Sequence, residues 1–188
     1  MRIGILALQG DFAEHEAMIR RTDGGAGTLL IRRKRDLEVP IDALVLPGGE
    51  STTMKKLLVD LGLFEPVRGM ILSGLPVYGT CAGLILLARE VEGGEPCFGT
   101  MDITVKRNAY GRQLGSFFTT GDFGDMKDVP MTFIRAPYIV RTGGKAVPLA
   151  SVNGRIVAAR EGNQLVTAFH PELNDDLRVY NYFLGKKR

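Results

Sequence analysis

Short apolar runs alternate along the chain with amphipathic stretches, and this rhythm sets the first expectation. Continuous apolar runs suit strands buried on both faces, whereas apolar positions three and four apart suit helices. Ile3 to Leu8 reads as a first buried strand, and Asp11 or a neighbour starts a helix through Arg20. A glycine-rich turn, Asp23 to Gly27, leads into a second strand at Thr28 to Ile31. Ala43 to Leu46 is a third, ending at Pro47-Gly48-Gly49-Glu50, and Ser51 reads as the N-cap of a helix over Thr52 to Leu61. Pro76 to Tyr78 is a fourth, with a helix over Ala82 to Arg89 behind it. Strand followed by helix, repeated, predicts an α/β fold whose helices cover a mostly parallel sheet.

The pattern changes after Phe98. Ile103–Lys106, Ser116–Thr119, Thr132–Arg135, Val147–Ser151, Arg155–Ala159 and Leu165–Ala168 are short alternating segments, which predict a mixed or antiparallel extension. Asp175 to Leu184 is expected to close the chain as a helix. With no repeat, low-complexity tract or linker in 188 residues, residues 1–188 are expected to form one domain.

Composition narrows the functional classes. A net charge of +3, from 24 basic and 21 acidic residues interspersed along the chain, gives no nucleic-acid footprint. Met1 to Leu8 lacks the regions of a signal peptide, and no apolar stretch reaches membrane-spanning length. Cys81 and Cys97 have neither metal-type spacing nor a disulfide framework, so a reducing compartment, the cytoplasm, and no bound metal are expected.

The chemistry concentrates in loops that follow apolar strands, where ligands bind in open α/β sheets. These are Leu8-Gln9-Gly10, Pro47 to Ser51, Gly79-Thr80-Cys81-Ala82-Gly83 and Phe169-His170-Pro171-Glu172-Leu173. A cysteine at a strand-to-helix turn between glycines fits the nucleophile-elbow frame, and the following helix start favours thiolate. The Ala82 amide then serves as one oxyanion donor, and Gly48-Gly49 supplies a second that glycine leaves free to flip. His-Pro-Glu at a strand end is expected to place His170 and Glu172 on one face, so that the carboxylate orients the ring. Of the two histidines, His15 sits in Glu14-His15-Glu16 on a helix, where a solvated or partner-facing side chain is expected.

Plain structural readings weigh against each feature taken singly. A cysteine among small residues is commonly a buried hydrophobe, and a double glycine is commonly a turn. Cys97 has no frame and is read as structural, and Arg32-Arg33-Lys34-Arg35 as a solvated edge. Asp23 to Gly27 leads into a strand, not a helix, which argues against a phosphate cradle.

In order and over nearly the whole chain, these segments resemble the glutaminase subunits of pyridoxal 5'-phosphate synthase, within the class I glutamine amidotransferases. The resemblance is carried by Leu8-Gln9-Gly10, Leu46-Pro47-Gly48-Gly49-Glu50-Ser51-Thr52-Thr53-Met54, Gly79 to Leu84, Arg107-Asn108, Gly111-Arg112-Gln113, Phe133-Ile134-Arg135-Ala136-Pro137 and Phe169 to Leu173. It implies a three-layer, flavodoxin-like fold and hydrolysis of L-glutamine to glutamate and ammonia, with no cofactor. Cys81, His170 and Glu172 correspond to the triad, and Gly49, Glu50, Ser51, Arg107, Ile134 and Arg135 to the glutamine site. An α-carboxylate calls for a cation, which Arg107 or Arg135 supplies. The resemblance further implies a synthase subunit that accepts the ammonia and activates the glutaminase through the oxyanion peptide at Gly48-Gly49, with Gln9 in support.

Three other readings stay open on sequence. They are a glutaminase serving a different acceptor, a cysteine hydrolase of a related superfamily, and a non-catalytic binding module derived from such an enzyme.

Overall fold

Ala43–Leu46 and Val77–Thr80 are buried at every position, so both must lie inside a sheet covered on its two faces. The computed structural model describes residues 1–107 and 115–185. In order come β1 (Arg2–Leu6), α1 (Phe12–Thr22), β2 (Gly27–Ile31), β3 (Ala43–Leu46), α2 (Ser51–Asp60), α3 (Phe64–Leu72) and β4 (Val77–Thr80). Then follow α4 (Ala82–Leu87), β5 (Ala88–Glu92), β6 (Met101–Lys106), β7 (Ser116–Phe123), β8 (Met126–Ile134) and β9 (Tyr138–Thr142). β10 (Val147–Val152), β11 (Arg155–Glu161), β12 (Gln164–Thr167) and α5 (Arg178–Phe183) complete the order.

The main sheet has the order β2-β1-β3-β4-β12-β11-β9-β6-β5, with β10 pairing β11. From β2 to β12 every pairing is parallel, which leaves the loops after β1, β3, β4 and β12 at one end. Beyond β12 the pairings of β11 with β12, β9 and β10, and of β6 with β9, are antiparallel. The expected α/β fold with a mostly parallel core and an antiparallel extension is therefore present. β7 and β8 form a separate hairpin whose stacked Phe117 and Phe133 rings lie 4.5 Å apart.

Helices bury the faces their periodicity dictates. His15, Met18 and Ile19 of α1 are buried, as are Ser51, Met54 and Leu58 of α2, at the three- and four-residue spacing of a single face. No described helix is long and apolar enough to cross a membrane.

Some expected boundaries move. α3 was not expected; it carries Pro66 in its first turn, where a missing N–H costs no helix bond, and buries Val67 and Ile71. The helix behind Cys81 stops at Leu87, because Glu90 and Val91 pair with β6 as part of β5. Glu90 also accepts from Thr104 and Arg141, each at 2.8 Å. β9 was likewise not foreseen. The last helix starts at Arg178, since the Asp176 carboxylate takes the Arg178 main-chain N–H at 2.8 Å. The segment Asn108 to Gln113 that contributed to the family resemblance lies outside the described residues.

Candidate active site

Cys81 occupies the turn between β4 and α4 with φ 47° and ψ −97°, a left-handed conformation rare for a residue with a side chain. Its amide donates to the Thr167 carbonyl of β12 at 2.8 Å, which fixes the turn against the neighbouring strand. The flanking glycines are a steric necessity. A Cβ on Gly79 would lie 2.7 Å from the Gly83 backbone, and one on Gly83 would lie 2.1 Å from the Leu46 carbonyl oxygen. Ala82 opens α4, where an amide has no intrahelical acceptor and is free to serve as a donor.

His170 follows β12 and is held by its main-chain N–H, which donates to the Thr132 carbonyl at 2.8 Å. The expectation that a strand presents His170 and Glu172 on one face is corrected here: Pro171–Leu173 is a 3-10 turn. Pro171 cannot donate to a ladder, and the turn closes through Asn174, whose side-chain amide donates to the His170 carbonyl at 3.2 Å. The turn still brings the pair together, with Nδ1 of His170 2.6 Å from Oε1 of the buried Glu172. Nε2 of His170 is buried and has no hydrogen-bond partner among the described residues.

Sequence reasoning missed Asp11, whose Oδ2 lies 3.3 Å from the same Nδ1. Burial works against a charged imidazole, but the Asp11 carboxylate, the neighbouring Cys81 and the Glu172 carboxylate overcome it and push the His170 pKa up to about 12. These surroundings favour the protonated ring. Asp11 is correspondingly held below the usual carboxylate range, chiefly by its bond to His170.

His15 is the clearest correction. It is fully buried, not solvated, and burial holds its pKa below the ordinary value. Nδ1 meets the Tyr180 hydroxyl at 2.7 Å and Nε2 meets Thr80 Oγ1 at 3.0 Å, with Glu172 Oε1 at 3.5 Å. Its acidic neighbours Glu14 and Glu16 suggested solvent. The signal that could have found it was the spacing to Met18 and Ile19, which places His15 on the buried face of α1.

The double glycine also makes room, but for side chains. A Cβ on Gly48 would lie 2.6 Å from Cε1 of His170 and 2.8 Å from Oδ2 of Asp11; one on Gly49 would lie 2.4 Å from Oε1 of Gln9. Gln9 Oε1 accepts from the Glu50 amide at 2.7 Å, tying the loop after β1 to the loop after β3. Glu50, not Ser51, is the N-cap of α2. Its carboxylate accepts from the amides of Thr52 at 3.0 Å and Thr53 at 2.7 Å. Partial burial opposes this charge, yet those bonds pull the Glu50 carboxyl down to about 2. Arg107 Nη2 lies 3.2 Å from Glu50 Oε1.

These groups share one cleft of about 390 Å³, lined by Gln9, Gly49, Glu50, Ser51, Cys81, Arg107, Ile134, Arg135 and His170, with Asp11, Ile85 and Pro137. Each residue expected to bind substrate therefore lines the same cleft as the expected nucleophile. Gly48 stands directly behind the His170 ring, and Ala82 adjoins Cys81. Cys97 lies outside this cleft, and burial raises its thiol to about 11.

Asp11, His170 and Glu172 place three potential ligand atoms within 4.8 Å of one another. Two ligands at about 2.0–2.2 Å on a tetrahedral zinc ion would stand more than about 3 Å apart. The 2.6 Å between Nδ1 and Oε1 suits a shared proton instead.

Comparison with known proteins shows the family. Residues 5–187 match the model of the SNO glutamine amidotransferase family. The chain is 59% identical to "Pyridoxal 5'-phosphate synthase subunit PdxT" of Methanocorpusculum labreanum, covering 98% of this chain and 96% of that protein. It is 53% identical to the protein of the same name from Desulfitobacterium hafniense, covering 98% and 92%. A solved glutamine amidotransferase superposes with a TM-score of 0.90 at 40% identity, over 98% of this chain and 97% of that one. Another solved glutamine amidotransferase, from Thermotoga maritima, shares the fold, with a TM-score of 0.65 at 16% identity over 99% and 84%. The chain belongs to the SNO glutamine amidotransferase family.

Proposed function

We propose that this chain is a glutaminase that hydrolyses L-glutamine at Cys81 and delivers the ammonia to a synthase subunit that builds pyridoxal 5'-phosphate. The observation that carries the reading is the convergence of Cys81, the His170–Glu172 pair and two arginines on one cleft. Relatives more than half identical are named as subunits of that synthase.

The Cys81 sulfur, its proton held on His170, attacks the side-chain amide carbon. A C–S bond forms and the carbonyl electron pair moves to oxygen. Ala82 N–H, with the Gly48-Gly49 peptide, stabilises that oxyanion. Collapse breaks the C–N bond, and nitrogen takes the Nε2 proton of His170 and departs as ammonia, leaving a thioester. His170, now neutral, accepts a proton from water as its oxygen attacks the thioester. The C–S bond breaks, glutamate leaves, and the sulfur and ring return to their starting forms. Every proton and electron pair comes from Cys81, His170, glutamine or water.

Glu172 orients the ring and stabilises its charge through Nδ1. Arg107 or Arg135 pairs with the α-carboxylate of glutamine, while Gly49, Glu50, Ser51 and Ile134 shape the rest of its site and Gln9 braces the Glu50 amide. A reactive thiol with no disulfide partner suits the reducing cytoplasm.

The test is ammonia release from glutamine, measured with and without the synthase subunit. Turnover that rises with the synthase is expected. Equal turnover would remove the activation step, and no ammonia in either case would remove the reaction.

A further inference from the structure

Asp11 fills the N-cap position of α1, where an aspartate ordinarily accepts a helix amide. Its carboxylate makes no such bond among the described residues. It turns instead to the imidazole, with Oδ2 3.3 Å from Nδ1 of His170, on a ring atom already engaged by Glu172 at 2.6 Å. The Asp11 main-chain N–H meanwhile reaches the Gly48 carbonyl at 3.4 Å, on the peptide read as part of the oxyanion hole. The close fit of Asp11 Oδ2 and His170 Cε1 against Gly48 leaves no space there for a side chain. One residue thus touches both the ring and the loop.

We propose that Asp11 is a positioning residue: its carboxylate shares the Nδ1 proton of His170 with Glu172, and its amide keeps the Gly48-Gly49 peptide in register with that ring. The inference rests on the glutaminase reading for its catalytic meaning. The groups facing His170 are Glu172 from the 3-10 turn, Cys81 from the elbow and Asp11 from the start of α1, with His15 behind Glu172. Glu172 is buried, whereas the Asp11 side chain is 36% exposed and lines the cleft. Asp11 is therefore the partner of the imidazolium that bound substrate can reach. A trans peptide carries its N–H and C=O on opposite sides, so exchanging them at Gly48-Gly49 breaks the bond from Asp11.

The chain holds two histidines, so a ring-nitrogen NMR spectrum of the untagged protein resolves His170 with the buried His15 as internal control. Asp11→Asn removes the charge but keeps a residue that can cap; Asp11→Ala removes both. Both variants are expected to lower the pH midpoint of His170 by about 1 unit or more, with matched losses of about 2–4 °C in melting temperature at pH 7. If no form titrates before unfolding, Nδ1–H exchange with solvent at pH 7 decides, and severalfold faster exchange in both variants supports the proposal. Unmoved titration or exchange overturns it. So does a loss of about 2–4 °C confined to Asp11→Ala, the mark of an ordinary helix cap. The readout needs no turnover, so a wild-type chain that releases no ammonia would defeat the glutaminase reading and leave this result interpretable.

Discussion

Two glycine-framed loops stand side by side at the ends of β3 and β4, and they use glycine for different purposes. At the elbow, Gly79 and Gly83 let backbone pack on backbone, against each other and the Leu46 carbonyl. At the other loop, Gly48 and Gly49 give way to the side chains of His170, Asp11 and Gln9. The first arrangement fixes the nucleophile rigidly, because neighbouring main chain has nowhere to move. The second is braced by side chains, and among the described residues the Gly48 carbonyl is held only by the long 3.4 Å bond from the Asp11 amide, which leaves that peptide adjustable. A rigid sulfur beside an adjustable peptide is what the proposed glutaminase, switched by its proposed partner, requires.

Substitutions can separate the two loops. The largest effect is expected from Cys81→Ala, which removes the attacking sulfur and reduces ammonia release to background while the far-ultraviolet spectrum and melting temperature stay near wild type. Next is Gly83→Ala: its Cβ would meet a main-chain oxygen at 2.1 Å, so the fold must shift. A loss of about 3 kcal/mol or more in denaturant unfolding is expected. Gly48→Ala should do the reverse, costing about 100-fold in turnover by displacing His170, with a smaller stability loss. Similar unfolding of both glycine variants would erase the comparison.

Smaller effects test the start of α2. Glu50→Ala removes the cap and the Arg107 contact and is expected to cost about 1 kcal/mol, whereas Ser51→Ala should cost less than about 0.5 kcal/mol. The Glu50 carboxyl has a folded pKa of about 2 against an ordinary 4.5. A depressed value means its stabilisation is present above the unfolded pKa and is lost as pH falls through the folded one. The gap in unfolding free energy between wild type and Glu50→Gln should therefore narrow as pH falls from about 5 towards 2. Solvent screening of this half-exposed group keeps that gap small.

Much of the site was legible because its chemistry is written in contiguous segments. The Gly-x-Cys-x-Gly frame and the His-Pro-Glu run name their residues and their order. What could not be read is what depends on contact between distant segments. His15 looks solvated beside Glu14 and Glu16, and only packing of α1 against Tyr180 and Thr80 reveals a buried ring. Asp11 was rightly placed at a helix start, but its carboxylate serves a histidine far along the chain. Glu50 caps α2 because its side chain curls back over Thr52 and Thr53, which leaves Ser51 inside the helix. Boundaries such as the early end of α4 depended on strand partners that local propensity does not encode.

The central claim is that Cys81, and not the second thiol, is the nucleophile of a glutamine site. The most direct measurement is labelling of the full chain with a glutamine-analogue electrophile, followed by peptide mapping of Cys81 and Cys97. The prediction is modification of Cys81 alone, slowed by added L-glutamine, because Cys97 is half-buried outside the cleft with its thiol raised to about 11. Labelling of Cys97 in place of Cys81, or labelling of Cys81 that glutamine does not slow, would contradict it.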